Sequence, residues 1–179
     1  MQFKRMEHWD IYDENRVKTG TTAVRGKGLP EGGYHIVVHV CVFNGRGEML
    51  IQQRQPFKHG FPNLWDVSAG GSALAGETSA QAATRETKEE IGLDIALFGA
   101  RPKFSMSFDE GFDDWYAVTK DADISALSLQ YEEVQAVRWA SREEILSLIG
   151  EGKFIPYYES FINMIFDTNG QYGAIRDKR

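Results

Sequence analysis

The sequence contains a single cysteine, Cys41, among its 179 residues, which excludes an intramolecular disulfide and a metal site built from several cysteines. Such low cysteine usage suits a reducing compartment, so a cytoplasmic protein is expected. No run of about 18 apolar residues occurs, and the first 16 residues carry charges throughout in place of an apolar signal segment. The sequence therefore predicts a protein that neither spans a membrane nor is exported.

Basic residues are also scarce. The chain has 20 lysines and arginines against 26 aspartates and glutamates, a formal net charge of −6. Surfaces that hold long DNA or RNA depend on clustered lysine and arginine, so a nucleic acid polymer is not an expected partner. If the substrate is a small anion, its charge has to be neutralised locally.

Hydrophobic residues make up 42% of the chain and aromatic residues 12%, enough to bury the core of one domain, 1–179. The β-branched run "YHIVVHVCVF" at 34–43, the turn "NGRG" and the segment "EMLIQQR" predict an antiparallel hairpin. Alternation on the first strand makes one face aliphatic and leaves the other to line a cavity. Further strands are predicted at 64–68, 94–98, 103–108, 114–119 and 134–139. The opening segment, 1–30, is predicted to form a hairpin at the edge of the sheet.

Three helices are predicted. The first, over 79–91, begins at the capping box of Thr78 with Gln81 and ends at Gly92, a residue that tolerates the left-handed conformation. A second follows the capping box of Ser141 with Glu144. A third covers 156–167, with Pro156 in its first turn. Strands interleaved with helices in this way indicate an α/β fold.

The helix at 79–91 carries three glutamates on one patch. At about 100° per residue, Glu86, Glu89 and Glu90 fall on a stripe beside the apolar one. Like charges at these spacings repel each other, and the carboxyl end of a helix disfavours anions. This placement costs stability, but hard divalent cations prefer carboxylate oxygens. The stripe is therefore either a solvated acidic face or a metal site.

The surrounding residues distinguish these two interpretations. Residues 71–93 follow the pattern G-x5-E-x7-R-E-U-x-E-E-x-G-U, where U is a bulky aliphatic residue, and this resembles the Nudix box of the Nudix hydrolase family. The fixed positions are Gly71, Glu77, Arg85, Glu86, Glu89, Glu90, Gly92 and Leu93. Thr87 stands at the first U position and is smaller than the family's usual residue, which predicts looser packing of the helix.

The resemblance implies an α/β/α sandwich with a mixed sheet between helices, and hydrolysis of a diphosphate substrate. By motif position, the metal ligands for Mg²⁺ or Mn²⁺ would be Glu86, Glu89 and Glu90, with Gly70 included in the set. Arg85 would orient the glutamates through charge-assisted hydrogen bonds, and Glu77 would support the helix. Bound cations would screen the diphosphate and activate the attacking water. Dimers are frequent among similar proteins, so a homodimer is one expected assembly.

The region before the box is similar to the branch of the family that includes isopentenyl diphosphate isomerase. That resemblance assigns the substrate diphosphate to Arg54 and Lys58 and a binding role to His35. The isomerase also needs a cysteine and a histidine for proton transfer at carbon, and Gly70 and Ser72 stand at those positions. Cys41 lies on the preceding strand and is interpreted as a buried hydrophobe. An intact box without these groups favours phosphoanhydride hydrolysis.

Several alternatives stay open. An isomerase relative and a non-catalytic nucleotide-binding regulator both fit parts of the sequence. A base outside the box is a further question, for which Glu133 and Asp114 are candidates. The group attached to the diphosphate could stack on one of five aromatic residues, which are Phe57, Phe61, Trp65, Phe112 and Trp115.

Overall fold

The structure is a computed structural model that describes residues 6–175, so both ends of the predicted 1–179 domain, including residues 1–5 of the predicted hairpin segment, lie outside it. The strands are β1 His8–Tyr12, β2 Lys18–Val24, β3 His35–Phe43, β4 Met49–Arg54, β5 Trp65–Asp66, β6 Ala69–Ser72, β7 Phe104–Phe108, β8 Gly111–Thr119 and β9 Val134–Ala140. The helices are α1 Ser79–Ile91, α2 Arg142–Gly150 and α3 Glu159–Asp167, and a 3-10 turn covers Ile124–Ala126. Within 6–175, no helix is both long enough and apolar enough to cross a membrane.

Seven strands form the main sheet, in the order β5-β4-β3-β8-β7, with β6 also paired to β3 and β9 to β4. The central pair, β3 and β8, is parallel from His35–Gly111 to Phe43–Thr119. The other neighbours are antiparallel. The sheet is therefore mixed, as predicted.

The predicted β3–β4 hairpin is wrong over most of its length. The two strands pair only at Phe43 and Met49, next to the turn. Beyond that point β3 pairs with β6, and β4 pairs with β9. The strands separate because each finds another antiparallel partner. The gap that opens between β6 and β4 is the feature of the sheet on which the candidate site depends.

Both faces of the sheet are buried. On β3, Val38, Val40 and Val42 are fully buried in a core that includes Ala82, Ala83 and Ile91 of α1. The opposite face, including Cys41 and Phe43, packs against residues of α2 and α3. Each fully buried aliphatic side chain contributes roughly 1.5–3 kcal/mol. The result is an α/β/α sandwich, and the face expected to line a cavity is largely core.

Helix α1 has the ends that the sequence predicts. Thr78 and Gln81 form a reciprocal capping box, and Gly92 adopts a left-handed φ of 70° at the carboxyl end. Thr87 is fully buried, and its hydroxyl donates to the carbonyl of Ala83 at 2.8 Å. The smaller residue is therefore packed and hydrogen-bonded, and the predicted loosening of the helix is not seen.

Other predicted elements differ from the structure in instructive ways. The segment 94–98 is irregular, because Ile95 and Leu97 are buried in the α1 core without a neighbouring strand to pair with. Helix α3 begins at Glu159, since the backbone at 154–155 is held extended against Trp65. The hairpin of β1 and β2 forms a sheet of its own, joined to the main sheet by a bridge from Tyr12 to Tyr34.

Candidate active site

Glu90 is a buried carboxylate in the gap between β6 and β4. Its side chain is 4% exposed and accepts hydrogen bonds from Gln52 Nε2 at 3.0 Å and from the Gly70 N–H at 3.1 Å. Burial, and next the charge of Glu86, raise the pKa of Glu90 to about 8, although these hydrogen bonds oppose the shift. The fold therefore places an acid of nearly neutral pKa in the opening of the sheet.

Arg85 connects the other carboxylates of the box. Its guanidinium donates to both oxygens of Glu77, at 2.8 and 3.0 Å, to Glu86 at 2.8 Å and to Glu89 at 3.0 Å. It also donates to the Ser72 carbonyl at 3.1 Å, which ties α1 to the end of β6. One planar cation therefore orients three carboxylates, an arrangement that suits arginine because its donors are fixed in a fork.

The Glu86 carboxylate lies directly against the backbone of Gly71. A Cβ added at Gly71 would come within 2.3 Å of Glu86 Oε1, closer than non-bonded atoms can approach. Burial raises the pKa of Glu86 to about 7, even though Arg85 opposes the shift. The glycine thus makes room for the Glu86 carboxylate, and its role here is the absence of a side chain.

We expect Gly71→Ala to displace Glu86 without unfolding the protein, because the clash involves the end of a side chain that can rotate. If Glu86 serves catalysis, kcat should fall about 10- to 100-fold, the range seen when groups that position metal ligands are disturbed. Steady-state kinetics and thermal melting of the variant would measure both effects. Gly76→Ala is a poor control because of its φ of 89°, whereas Gly150→Ala, at the end of α2 with open space at the Cβ, is suitable.

The carboxylates of the box do not converge on a single point where a metal ion could bind. Over residues 6–175, no group of three or more His, Cys, Asp or Glu side chains is arranged to hold one metal ion. The Arg85 guanidinium forms ion pairs with Glu86 and Glu89. The Glu89 side chain is about half exposed, whereas Glu90 is buried. Beside them, Gln52 Oε1 is buried without a hydrogen-bond partner among the described residues. The donors are therefore adjacent but only partly converged.

Lys58 and Glu133 form an ion pair near Glu90. The Glu133 charge contributes to the raised pKa of Glu90, and the Gln130 N–H donates to the Glu90 carbonyl at 2.9 Å. The segment 130–133 therefore connects α1 to the loop that follows β4. Arg54, the last residue of β4, donates to the Gly60 carbonyl at 3.1 Å and faces Asp66 at 3.6 Å.

His35 and Asp114, two other residues predicted for the site, are surrounded by side chains other than the glutamates of the box. His35 stacks on Trp9 with ring centroids 4.2 Å apart and meets Phe108 edge-on, and burial lowers its pKa. Asp114 is fully buried, bonded to Ser105 at 2.6 Å and paired with Arg16. Neither makes a hydrogen bond to a box glutamate within the described residues. Asp114 is therefore a structural ion pair in this conformation.

The structure separates the aromatic candidates by exposure. Phe112 and Trp115 are buried in the core, and Trp65 packs under the guanidinium of Arg138 at 5.2 Å. Phe57 is 55% exposed and forms a tilted pair with Tyr131, 72% exposed, with ring centroids 5.9 Å apart. Sequence reasoning overlooked Tyr131 and Gln52. Their link to α1 depends on loop 130–133 and on the separation of β4 from β3, for which the sequence has no local signal.

Comparison with known proteins places this geometry in a family. Residues 33–159 match the NUDIX domain. The Nudix hydrolase lmo0368 of Listeria monocytogenes is 53% identical over 162 residues, which cover 90% of this chain and 95% of that protein. Nudix hydrolase 3 of Arabidopsis thaliana is 31% identical, covering 96% of this chain and 23% of its own length.

Solved structures agree. DR0079 from Deinococcus radiodurans superposes with a TM-score of 0.69 at 25% identity, over 89% of this chain and 97% of that one. A MutT protein from Methanosarcina mazei gives a TM-score of 0.59 at 21% identity, over 74% and 92% of the two chains. With its matching domain, its close relatives and its sandwich fold, the chain belongs to the Nudix hydrolase family.

Proposed function

We propose that the protein hydrolyses a phosphoanhydride bond in a small diphosphate substrate, with divalent metal bound by the glutamates of α1. The observation that carries the proposal is Glu90. Glu90 is 4% exposed, lies beside the Glu86 carboxylate and makes no ion pair among residues 6–175, so ionising it costs the fold free energy. Such an arrangement is expected where the charge serves a site and not where it serves stability.

The residues present fit a hard divalent cation. Glu86, Glu89 and Glu90 supply carboxylate oxygens, and Gln52 Oε1 is a buried acceptor without a partner among the described residues. The Gly70 backbone carbonyl is the further ligand proposed. All of these are oxygen donors, the type that Mg²⁺ and Mn²⁺ prefer. When bound, the metal would polarise the phosphoryl oxygens and lower the pKa of the attacking water.

The chain's own residues supply the rest of the mechanism. Arg85 pairs with Glu77, Glu86 and Glu89 and so keeps these carboxylates next to one another at the site. Arg54 ends β4 and Lys58 lies in the loop that follows, and the charge of a diphosphate would compete with Asp66 for Arg54 and with Glu133 for Lys58. Binding of substrate to Lys58 would release Glu133 to accept a proton. His35 is a further proposed substrate-binding residue, because it stands where the isomerase branch has a binding histidine.

Double-bond isomerisation is the weaker proposal. Gly70 and Ser72 have no side chains able to transfer protons at carbon. Cys41 is 1% exposed, and burial raises the pKa of its thiol far above the usual range. Incorporation of deuterium from D₂O into isopentenyl diphosphate would support isomerase activity instead.

Phosphate release from a substrate panel tests the proposal. The panel would include nucleoside di- and triphosphates, nucleotide sugars, dinucleotides and isoprenoid diphosphates, each with Mg²⁺, with Mn²⁺ and with a chelator. We expect turnover on at least one class that requires metal. Ligand binding without turnover across the whole panel would point instead to a nucleotide-binding regulator.

The exposed pair of Phe57 and Tyr131 is expected to contact the group attached to the diphosphate. Phe57 directly precedes Lys58, and Tyr131 lies two residues before Glu133, so the aromatic pair and the ion pair join the same two loops. Replacing Tyr131 with alanine should raise KM about 5- to 100-fold with little change in kcat, since stacking on a base contributes about 1–3 kcal/mol. Tyr158, 82% exposed and at the start of α3, is a matched control for loss of a surface tyrosine. Equal KM values for both alanine variants and the wild type would contradict the assignment.

A further inference from the structure

Strand β7 ends the main sheet and has one free edge. Its neighbour is β8, and no further strand follows it in the sheet order of the described residues. The five residues Phe104–Phe108 carry no charge and no proline, and the central three are exposed. Native proteins usually protect such edges with charge, proline or a covering element, since free N–H and C=O groups invite pairing with another chain.

The sequence of this edge is a palindrome. "FSMSF" reads the same in both directions around Met106. Two copies of the strand placed antiparallel across a twofold axis at Met106 would set Phe104 opposite Phe108 of the second copy and Ser105 opposite Ser107. An isologous contact requires this kind of self-complementarity.

The flanking residues extend the match. In the same register, Lys103 of each copy lies opposite Asp109 of the other. The twofold axis therefore brings together two pairs of opposite charges, one at each end of the paired strands. Among residues 6–175, neither Lys103 nor Asp109 takes part in an ion pair. The Lys103 ammonium donates to the carbonyls of Thr168 and Gln171 and lies over the Tyr172 ring, so it has to leave the segment after α3 to reach Asp109 of the second copy, which is exposed.

The hydrogen-bonding pattern is compatible with this register. In an antiparallel pair, alternate residues direct their backbone groups to the neighbouring strand, and the residues between them direct theirs to the free edge. On β7, one set is Phe104, Met106 and Phe108, and the other is Ser105 and Ser107. Both sets are symmetric about Met106. Whichever set faces outward can therefore pair with its own copy.

We propose that two copies of this chain associate through β7, antiparallel about Met106, to form one sheet that continues across both molecules. A contact based on one five-residue strand from each copy is small compared with stable interfaces, so the dimer should be weak and should form as concentration rises. The proposal does not depend on the hydrolytic function, because β7 contributes no residue to the glutamate site.

Cysteine cross-linking tests the register directly. Across a twofold axis, the two copies of residue 106 would have Cα atoms about 4.5–5.5 Å apart, within the range that a disulfide spans. Met106 is 44% exposed, and the native Cys41 is buried and does not compete. Mild oxidation of Met106→Cys should give a covalent dimer on a non-reducing gel. Met164→Cys, at a residue 40% exposed on α3, is the matched control and should stay monomeric.

Charge exchange at the axis gives a second test that needs no oxidation. Met106→Lys places two like charges together and should weaken self-association at least about tenfold in sedimentation velocity. Met106→Glu should behave in the same way, and an equimolar mixture of the two variants should recover the dimer. A monomeric wild type at all concentrations, or a dimer unaffected by either variant, would overturn the proposal, as would equal cross-linking of Met106→Cys and Met164→Cys.

Discussion

Glu90→Gln is expected to lower kcat about 10²- to 10⁴-fold, because it replaces a buried carboxylate of the proposed metal site with a neutral amide. The amide keeps the shape of the side chain and can still accept from Gln52 and from the Gly70 N–H. KM should change little if the diphosphate is bound by Arg54 and Lys58. We therefore expect the variant to fold normally and to lose activity through a lower kcat.

The same substitution should stabilise the metal-free protein at alkaline pH. Glu90 has an ordinary pKa of 4.5 in an unfolded chain and a pKa of about 8 in the fold, where burial is the main cause. Between these values the folded protein retains a proton that the unfolded chain has released, so the free energy of unfolding falls as pH rises. Glutamine has no such proton. We expect Glu90→Gln to melt near the wild type at pH 5 and above it at pH 8.

Thermal melts at pH 5, 7 and 8.5 with a chelator, repeated with Mg²⁺, would check this. Metal should raise the wild-type melting temperature, because a ligand that binds only the folded state stabilises it. The effect should be much smaller in Glu90→Gln. Glu132→Gln, at an exposed glutamate of the neighbouring loop, is a control for the loss of one negative charge. Near wild-type turnover by Glu90→Gln would remove Glu90 from the mechanism.

Arg85→Gln should be the most destabilising change in the box. The guanidinium side chain is 21% exposed and pairs with Glu77 and Glu86, whose side chains are 20% and 15% exposed. Removing one partner of a largely buried pair leaves unpaired charges, which costs about 3 kcal/mol. For a chain of this size, that corresponds to a fall in melting temperature of roughly 6–12 °C. Activity should fall as well, because Glu86 and Glu89 lose the cation that orients them.

Two comparisons separate orientation from charge. Arg85→Lys keeps the charge but cannot reach both Glu77 oxygens in a fork, so it should recover part of the stability and little of the activity. Lys153→Gln removes a cation from an exposed pair with Glu151 and should leave the melting temperature unchanged. If Arg85→Gln melts like the wild type, Arg85 does not hold the cluster together.

The elements predicted well are those with local causes. Helix α1 is fixed at both ends by Thr78, Gln81 and Gly92, and α2 by the capping box of Ser141 with Glu144. The β-branched run at 34–43 predicted strand β3, and the pattern of residues 71–93 identified the family. All of these signals lie within one helix, one strand or one motif, where chain geometry alone relates the residues.

The elements predicted poorly depend on partners distant in sequence. β6, "AGGS", has weak strand propensity and is held by pairing with β3, while Ile95 and Leu97 are buried without a strand partner. The chemistry of the site has the same origin. The sequence by itself determined that Glu86, Glu89 and Glu90 share a helix with Arg85. Only the tertiary structure decided that Glu90 is buried with a pKa of about 8, because β3 and β4 separate and Gln52 and Gly70 meet the carboxylate from two different strands.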